Sequence, residues 1–146
     1  MKLLITSDVH GDLQGLKEII ERHQDIDMHI NAGDMTLDPK YYEPFHIITV
    51  KGNNDFGVDL PYIRILDVQG IKIMLSHGHL EHVKFSLDRL KLRAKLEGVA
   101  LVIFGHTHER YLMVEEGIMF LNPGALGDYH KSYAIYHNHQ VTFHTR

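Results

Sequence analysis

The sequence contains no cysteine among its 146 residues. It can therefore form neither a disulfide framework nor a thiolate metal site, and any metal ion must be bound by nitrogen and oxygen ligands. The absence of cysteine is also typical of proteins from a reducing compartment.

Long apolar runs are absent as well. The apolar run at residues 3–5 is too short for a signal peptide, and no stretch approaches the roughly 18 apolar residues of a membrane-spanning helix. We therefore expect a cytoplasmic protein that does not bind a membrane.

The chain also lacks clusters of basic residues, and its formal net charge is −4. Extended nucleic-acid binding is therefore not expected. A chain of this length can bury a substantial core, and we expect a single domain over residues 1–146. The sequence leaves open whether the protein forms a homo-oligomer.

Histidine is abundant, with 13 residues, so their positions matter. Residues 2–7 predict a short buried strand that leads directly into Asp8-Val9-His10. In extended backbone, residues i and i+2 share a face, so Asp8 and His10 should project together at the edge where open α/β sheets bind ligands. The alternative is that Asp8 caps the following helix and His10 is an ordinary loop residue.

Apolar spacing predicts two amphipathic helices, one over residues 12–23 and one that begins at Leu80 and is stopped by Gly98. The second helix would bury a stripe from Leu80 to Ala94. The predicted strands cover residues 28–32, 46–50, 62–68, 71–75, 99–104, 110–115, 117–121, 133–137 and 140–144, with a loop at 35–45. The fold class predicted is α/β, with two packed mixed β-sheets flanked by helices in an α/β/β/α arrangement.

Metal-competent side chains follow five of these predicted strands. They are Asp8, His10, Asp34, Asn53, His77, His106 and His108. Seven such ligands are too many for one tetrahedral ion but suit two ions of higher coordination number. Two adjacent ions need a bridging carboxylate, and we assign the bridge to Asp34 because Gly33 before it allows close backbone approach.

Five short motifs carry these residues in order: Asp8-Val-His10, Gly33-Asp34, Gly52-Asn53-Asn54-Asp55, Ser76-His77-Gly78-His79 and Gly105-His106-Thr107-His108. Together they resemble the motif set of the calcineurin-like metallophosphoesterases over nearly the whole chain. The small size and the Gly-Asn-x-Asp motif are similar to the compact bacterial and archaeal phosphodiesterase branch.

This resemblance implies a division of the ligands between two ions. Asp8, His10 and His108 would bind one ion, whereas Asn53, His77 and His106 would bind the other, with Asp34 bridging them. The family uses divalent ions, of which we expect manganese first and iron, zinc, nickel, cobalt or magnesium as alternatives. The implied reaction is hydrolysis of a small phosphate ester by a metal-bridging hydroxide that attacks phosphorus in line.

The residue after Asn53 departs from several branches of the family, which have a histidine there that protonates the leaving oxygen. Asn54 cannot supply a proton at this step. We therefore expect phosphodiesters or activated aryl esters as substrates. Asn54, His79 and Asp55 are candidates for a place beside the substrate or behind the ligands, and His79 is the alternative proton donor.

A protein-interaction scaffold is the main alternative function. A subunit of the retromer trafficking coat resembles the same branch and uses the fold as a docking surface. That role predicts that some of the metal-ligating residues are replaced, whereas all seven are present in this chain.

Overall fold

The computed structural model describes all 146 residues. None of its helices combines the length and the apolar character that crossing a membrane requires. Two helices, ten strands and two short 3₁₀ turns alternate along the chain.

The first sheet has five strands in the spatial order β10-β9-β1-β2-β3. Their bounds are β1 Lys2–Thr6, β2 Met28–Asn31, β3 Ile48–Thr49, β9 Ser132–His137 and β10 Gln140–Thr145. The three N-terminal strands are parallel, with Leu3 of β1 opposite Met28 of β2. The C-terminal hairpin of β9 and β10 joins antiparallel to β1. This places β1 in the centre of the sheet.

The second sheet also has five strands, in the order β4-β5-β6-β8-β7. Their bounds are β4 Ile63–Val68, β5 Ile71–Ser76, β6 Leu101–Ile103, β7 Arg110–Glu115 and β8 Ile118–Pro123. Strands β5, β6 and β8 are parallel, and antiparallel β4 and β7 form the two edges. The predicted hairpin around Gln69-Gly70 is confirmed as the turn between β4 and β5.

Three apolar clusters hold these layers together. The largest lies between the two sheets, where Leu3 and Ile5 of β1 join Ile73 and Leu75 of β5. Alternate residues of a strand point to opposite faces, so Leu4 packs instead under helix α1, Leu13–Arg22. Helix α2, Asp88–Glu97, covers the outer face of the second sheet. The predicted α/β/β/α arrangement is confirmed.

Helix α2 is shorter than the apolar spacing predicts. It begins at Asp88, and Leu80, the expected first residue of its buried stripe, is 53% exposed. His82 has a left-handed backbone, with φ of 54°, and Ser86 Oγ accepts the backbone N–H of Asp88. These two features prevent one continuous helix, whereas the predicted end at Gly98, with φ of 65°, is confirmed.

Strand β3 is also shorter than expected, with two paired residues in place of the predicted 46–50. His46 has a left-handed φ of 54°, which prevents pairing before Ile48. The preceding loop contains the 3₁₀ turns Pro39–Tyr41 and Glu43–Phe45.

Candidate metal centre

Four strands, two from each sheet, deliver the candidate ligands to one edge of the molecule. Asp8 follows β1 and Asp34 follows β2 in the first sheet, while His77 follows β5 and His106 follows β6 in the second. The carboxyl ends of parallel strands meet at the same edge of a sheet. The candidate centre therefore lies where the ends of the two sheets come together.

Left-handed backbone directs many of these side chains. Asp8, His10, Asp34, His106 and His108 all have φ between 49° and 70°. Such conformations cost non-glycine residues on the order of 1–3 kcal/mol each and are concentrated at functional sites. Because β1 ends at Thr6, Asp8 and His10 converge through turns after the strand, and not through the strand alternation that the sequence predicted.

Asp8, His10 and His108 form one compact group of ligand atoms. Asp8 Oδ1 lies 3.4 Å from His10 Nε2 and 3.2 Å from His108 Nε2, and the two nitrogens are 3.3 Å apart. Ligand atoms about 2.1 Å from a cation are about 3.0 Å apart at right angles and about 3.4 Å apart at the tetrahedral angle. The nearly equilateral triangle therefore has the dimensions of one face of a coordination polyhedron.

A second group consists of Asp8, Asp34 and His77, all of them buried. His77 Nε2 lies 3.4 Å from Asp34 Oδ2 and 3.8 Å from Asp8 Oδ1. His77 Nδ1 donates to the backbone oxygen of Ala32 at 2.7 Å, so the lone pair of Nε2 faces the two carboxylates. Gly33 makes this approach possible, because a Cβ there would lie 3.0 Å from His77 Nδ1.

Two of these buried atoms, Asp8 Oδ1 and His77 Nε2, have no hydrogen-bond partner. Unpaired buried polar atoms are costly, and acceptors that converge without a donor are satisfied by a cation. The residues present therefore fit divalent metal ions.

Charge interactions set the protonation of the centre. Burial acts to raise the pKa of Asp8, but contacts with His10 and His108 lower it far below its usual value. The contact with Asp8 raises the pKa of His108. Burial acts to lower the pKa of His77, but Asp34 and Asp8 raise it. The site is thus a carboxylate pair that attracts positive charge.

His106 and Asn53, the remaining predicted ligands, belong to neither of these two groups of ligand atoms. The backbone N–H of His106 donates to Asp8 Oδ2 at 3.1 Å, and its ring centroid is 5.1 Å from that of His77. Burial and the neighbouring His77 lower the pKa of His106 to about 4, so its ring is neutral at neutral pH, as a metal ligand must be. Asn53 is exposed, and its side chain makes no hydrogen bond.

Asn54 and Asp55 both act on Asp34. The Asn54 side chain donates from Nδ2 to Asp34 Oδ2 at 2.8 Å, and its backbone N–H donates to Oδ1 at 2.9 Å. The buried Asp55 carboxylate accepts the backbone N–H groups of Asp34, Thr36 and Gly52 at 2.7–2.9 Å. Asp55 therefore stabilises the left-handed turn at Asp34 through hydrogen bonds to the backbone.

His79 lies beside the centre, with its ring centroid 5.5 Å from that of His77 and 5.6 Å from that of Tyr62. Its Nδ1 is buried and has no hydrogen-bond partner. The pKa of His79 is lowered, mainly by burial and to a smaller extent by the charge of His77.

Three further residues support the ligands and were not predicted. Ser7 donates to Asp8 Oδ2 at 2.6 Å, Asn122 donates to the Gly105 backbone oxygen at 3.1 Å, and Asp128 contacts His108. Ser7 is adjacent to Asp8, and Asn122 opens an Asn-Pro-Gly turn, so both carry a local signal. Asp128 carries none, because its partner is 20 residues away.

Comparison with known proteins assigns the class. A model of the calcineurin-like phosphoesterase superfamily domain matches residues 1–141. The chain therefore belongs to the calcineurin-like phosphoesterase superfamily and is a metal-dependent phosphoesterase.

Individual relatives agree with this class. The chain is 36% identical over 129 residues to the "Probable metallophosphoesterase YsnB" of Bacillus subtilis, covering 86% of this chain and 75% of the relative. It is 29% identical over 144 residues to the "Phosphodiesterase MJ0936" of Methanocaldococcus jannaschii, covering 85% and 83% respectively.

Solved structures share the fold. A predicted phosphoesterase from Streptococcus pneumoniae aligns with a TM-score of 0.84 at 26% identity, covering 99% of this chain and 97% of that one. Vacuolar Protein Sorting 29 from Cryptosporidium parvum aligns with a TM-score of 0.79 at 16% identity, covering 98% and 95%. At that identity the second match shows the shared fold alone.

Proposed function

We propose that this chain hydrolyses phosphodiesters with two divalent metal ions, bound by the seven predicted ligands, and that residues 1–146 act as one domain. The observation that carries the proposal is the convergence of Asp8, Asp34 and His77 as buried acceptors, two of whose atoms lack any partner. The family match over residues 1–141 and the relative named a phosphodiesterase support it.

Divalent ions at this centre would lower the pKa of bound water towards neutrality and stabilise charge on the phosphoryl oxygens. Asp8 and Asp34 neutralise only part of the charge of two such ions, so the loaded site stays attractive to a phosphate ester. Manganese is the expected metal, although imidazole, carboxamide and carboxylate ligands do not select it over iron, zinc, nickel, cobalt or magnesium.

In the proposed reaction, hydroxide attacks phosphorus in line, the bond to the ester oxygen breaks, and the leaving oxygen takes a proton from solvent water or from His79, the predicted alternative donor. Asn54 cannot give that proton, and its amide already donates to Asp34. An alkyl monoester, with a poor leaving group, needs the proton most. This is the reason to propose diesters, or activated aryl esters, as the substrate class.

The test supplies Mn²⁺ and measures hydrolysis of an aryl phosphodiester, an alkyl phosphomonoester and a cyclic nucleotide alongside the metal content. We expect turnover of the diester that exceeds that of the monoester and disappears with EDTA. Protein that binds two ions yet hydrolyses none of these esters would contradict the proposal and favour the scaffold function.

A further inference from the structure

Asp128 lies in the loop between β8 and β9, and its carboxylate contacts two histidines. His108 Nδ1 lies 3.0 Å from Asp128 Oδ2, and His130 Nδ1 lies 3.2 Å from the same oxygen. The His130 backbone N–H donates to Asp128 Oδ1 at 2.8 Å, which fixes the carboxylate plane. The Asp128 side chain is only 19% exposed.

The loop that carries Asp128 is fixed to the backbone of the Asp8 motif. Leu126 N–H donates to the Ser7 oxygen at 3.0 Å, and Gly127 N–H donates to the Asp8 oxygen at 2.9 Å. A Cβ at Gly127 would lie 1.9 Å from the Val9 backbone oxygen, so only glycine permits this approach. Asp128, the next residue, is therefore held in a defined position beside the metal centre.

This position determines which nitrogen of His108 is available to a cation. A carboxylate only accepts hydrogen bonds, so the His108 Nδ1 must carry the hydrogen that Asp128 accepts. The neutral ring then has its lone pair on Nε2, which faces Asp8 Oδ1 at 3.2 Å and His10 Nε2 at 3.3 Å. The opposite tautomer would present an N–H to the metal position.

We propose that Asp128 is a positioning residue that fixes the tautomer and orientation of His108 and thereby sets the affinity for one of the two metal ions. The inference rests on the proposed function, because it requires metal at the centre. Carboxylate partners of ligating histidines also raise ligand basicity, and their removal typically lowers metal affinity 10–100-fold.

His77 provides the internal comparison. Its Nδ1 donates to the backbone oxygen of Ala32, a partner that no side-chain substitution removes. His108 relies instead on a side chain at 3.0 Å. Loss of Asp128 should therefore affect the ion bound by Asp8, His10 and His108 and leave the ion beside His77 in place.

The experiment titrates metal-free wild type, Asp128→Ala and Asp128→Asn with Mn²⁺ by calorimetry. Wild type should bind two ions, and Asp128→Ala should bind one of them 10–100-fold more weakly, with the other unchanged. Asp128→Asn, whose amide oxygen accepts the same hydrogen bond without charge, should fall between the two. His130→Ala is the matched control, because it removes the other partner of Asp128, and its affinities should equal those of wild type.

A double-variant cycle tests whether Asp128 acts through His108. In a His108→Ala background, Asp128→Ala should cause no further loss of affinity. Three results would overturn the inference. Asp128→Ala could bind both ions with wild-type affinity, or it could lower the affinity for both ions equally. Asp128→Ala could also lower the affinity in the His108→Ala background as much as it does in wild type. A lowered melting temperature of the metal-free variant with unchanged affinities would also overturn it, since that result indicates a purely structural role.

The outcomes separate this inference from the proposed function. A wild type that binds two ions but hydrolyses no ester contradicts the proposed function, while the affinity comparison still decides the role of Asp128. A wild type that binds no Mn²⁺ overturns both.

Discussion

Asp34 lies between the two groups of histidines. Its Oδ2 is 3.4 Å from His77 Nε2 and 3.8 Å from His10 Nε2, whereas Asp8 Oδ1 is nearer to His10 and His108 than to His77. Both carboxylates therefore face both groups of histidines; Asp8 belongs to both candidate ligand groups, and Asp34 is the predicted bridge.

We predict that Asp34→Asn abolishes binding of both ions, because it removes the charge that the two positions would share. His108→Ala should weaken only the ion beside Asp8 and His10. Metal content after loading with Mn²⁺ and gel filtration measures both effects. Loss of one ion to the same degree in the two variants would show that Asp34 is not the bridge.

Replacement of Asn54 by histidine should raise kcat/KM for an alkyl monoester relative to an aryl diester, because an imidazolium can protonate the poor alkoxide leaving group. The control is Asn54→Ala, which removes the contact with Asp34 without adding a proton donor. Its monoester-to-diester ratio should stay at or below the wild-type value. An unchanged ratio in Asn54→His would contradict the assigned role of position 54.

Strands β1, β2 and β3 are connected by a buried polar network behind the metal centre. Thr6 Oγ1 lies 2.8 Å from His29 Nε2 and accepts Asn31 Nδ2 at 2.9 Å. Asn31 Oδ1 accepts both the Gly33 N–H and the Thr49 hydroxyl at 2.8 Å. The network reaches the residue before Asp34, so it links the parallel strands to the ligand turn.

Burial lowers the pKa of His29 to about 3, well below the unfolded value of about 6.5. The neutral ring therefore contributes stability that is complete above pH 6.5 and is lost as pH falls towards 3, because only the unfolded chain takes up the proton. The expected loss is about 1.4 kcal/mol per pH unit, or roughly 2–3 kcal/mol at pH 4.5.

Urea unfolding of metal-free protein between pH 4 and pH 7 measures this effect. In His29→Gln the free energy of unfolding should change less steeply with pH than in wild type. The difference in slope should reach up to about 1.4 kcal/mol per pH unit, which corresponds to the uptake of one proton. Parallel curves for the two proteins would show that His29 is already protonated in the folded state or titrates normally.

Element boundaries show where sequence reasoning succeeds and where it fails. The end of α2 at Gly98 could be predicted because a left-handed glycine is a local signal, and the strand that precedes each ligand was recognisable from its apolar run. The start of α2 could not, since apolar spacing does not report the left-handed His82. Asp128 was missed for a related reason, because its contact with His108 exists only in three dimensions.

At the scale of the whole molecule, the two-sheet arrangement followed from the alternation of predicted elements, but the strand order did not. The antiparallel pairing of β9 with β1 joins the two ends of the chain, and no local pattern encodes such a distant contact. This pairing also brings the loop of Asp128 beside Asp8, where Gly127 N–H donates to the Asp8 backbone oxygen, so the unpredicted topology places Asp128 next to the candidate metal centre.

Metal binding should stabilise the whole fold, because the ligands meet only in the folded chain. Free Mn²⁺ at 100 times its Kd adds about 2.7 kcal/mol per site, and each kcal/mol raises Tm by roughly 2–4 °C in a protein of this size. Thermal unfolding with Mn²⁺ and with EDTA should therefore differ by several degrees. Asp34→Asn is the control and should show little shift, and an equal Tm in both conditions for wild type would contradict coupled binding.

Anomalous diffraction from crystals loaded with Mn²⁺ tests most directly whether these side chains form a two-metal centre. We predict two peaks roughly 3.5–4 Å apart, one beside Asp8, His10 and His108 and the other beside His77 and His106, with Asp34 between them. A single peak, or peaks away from these residues, would contradict the account.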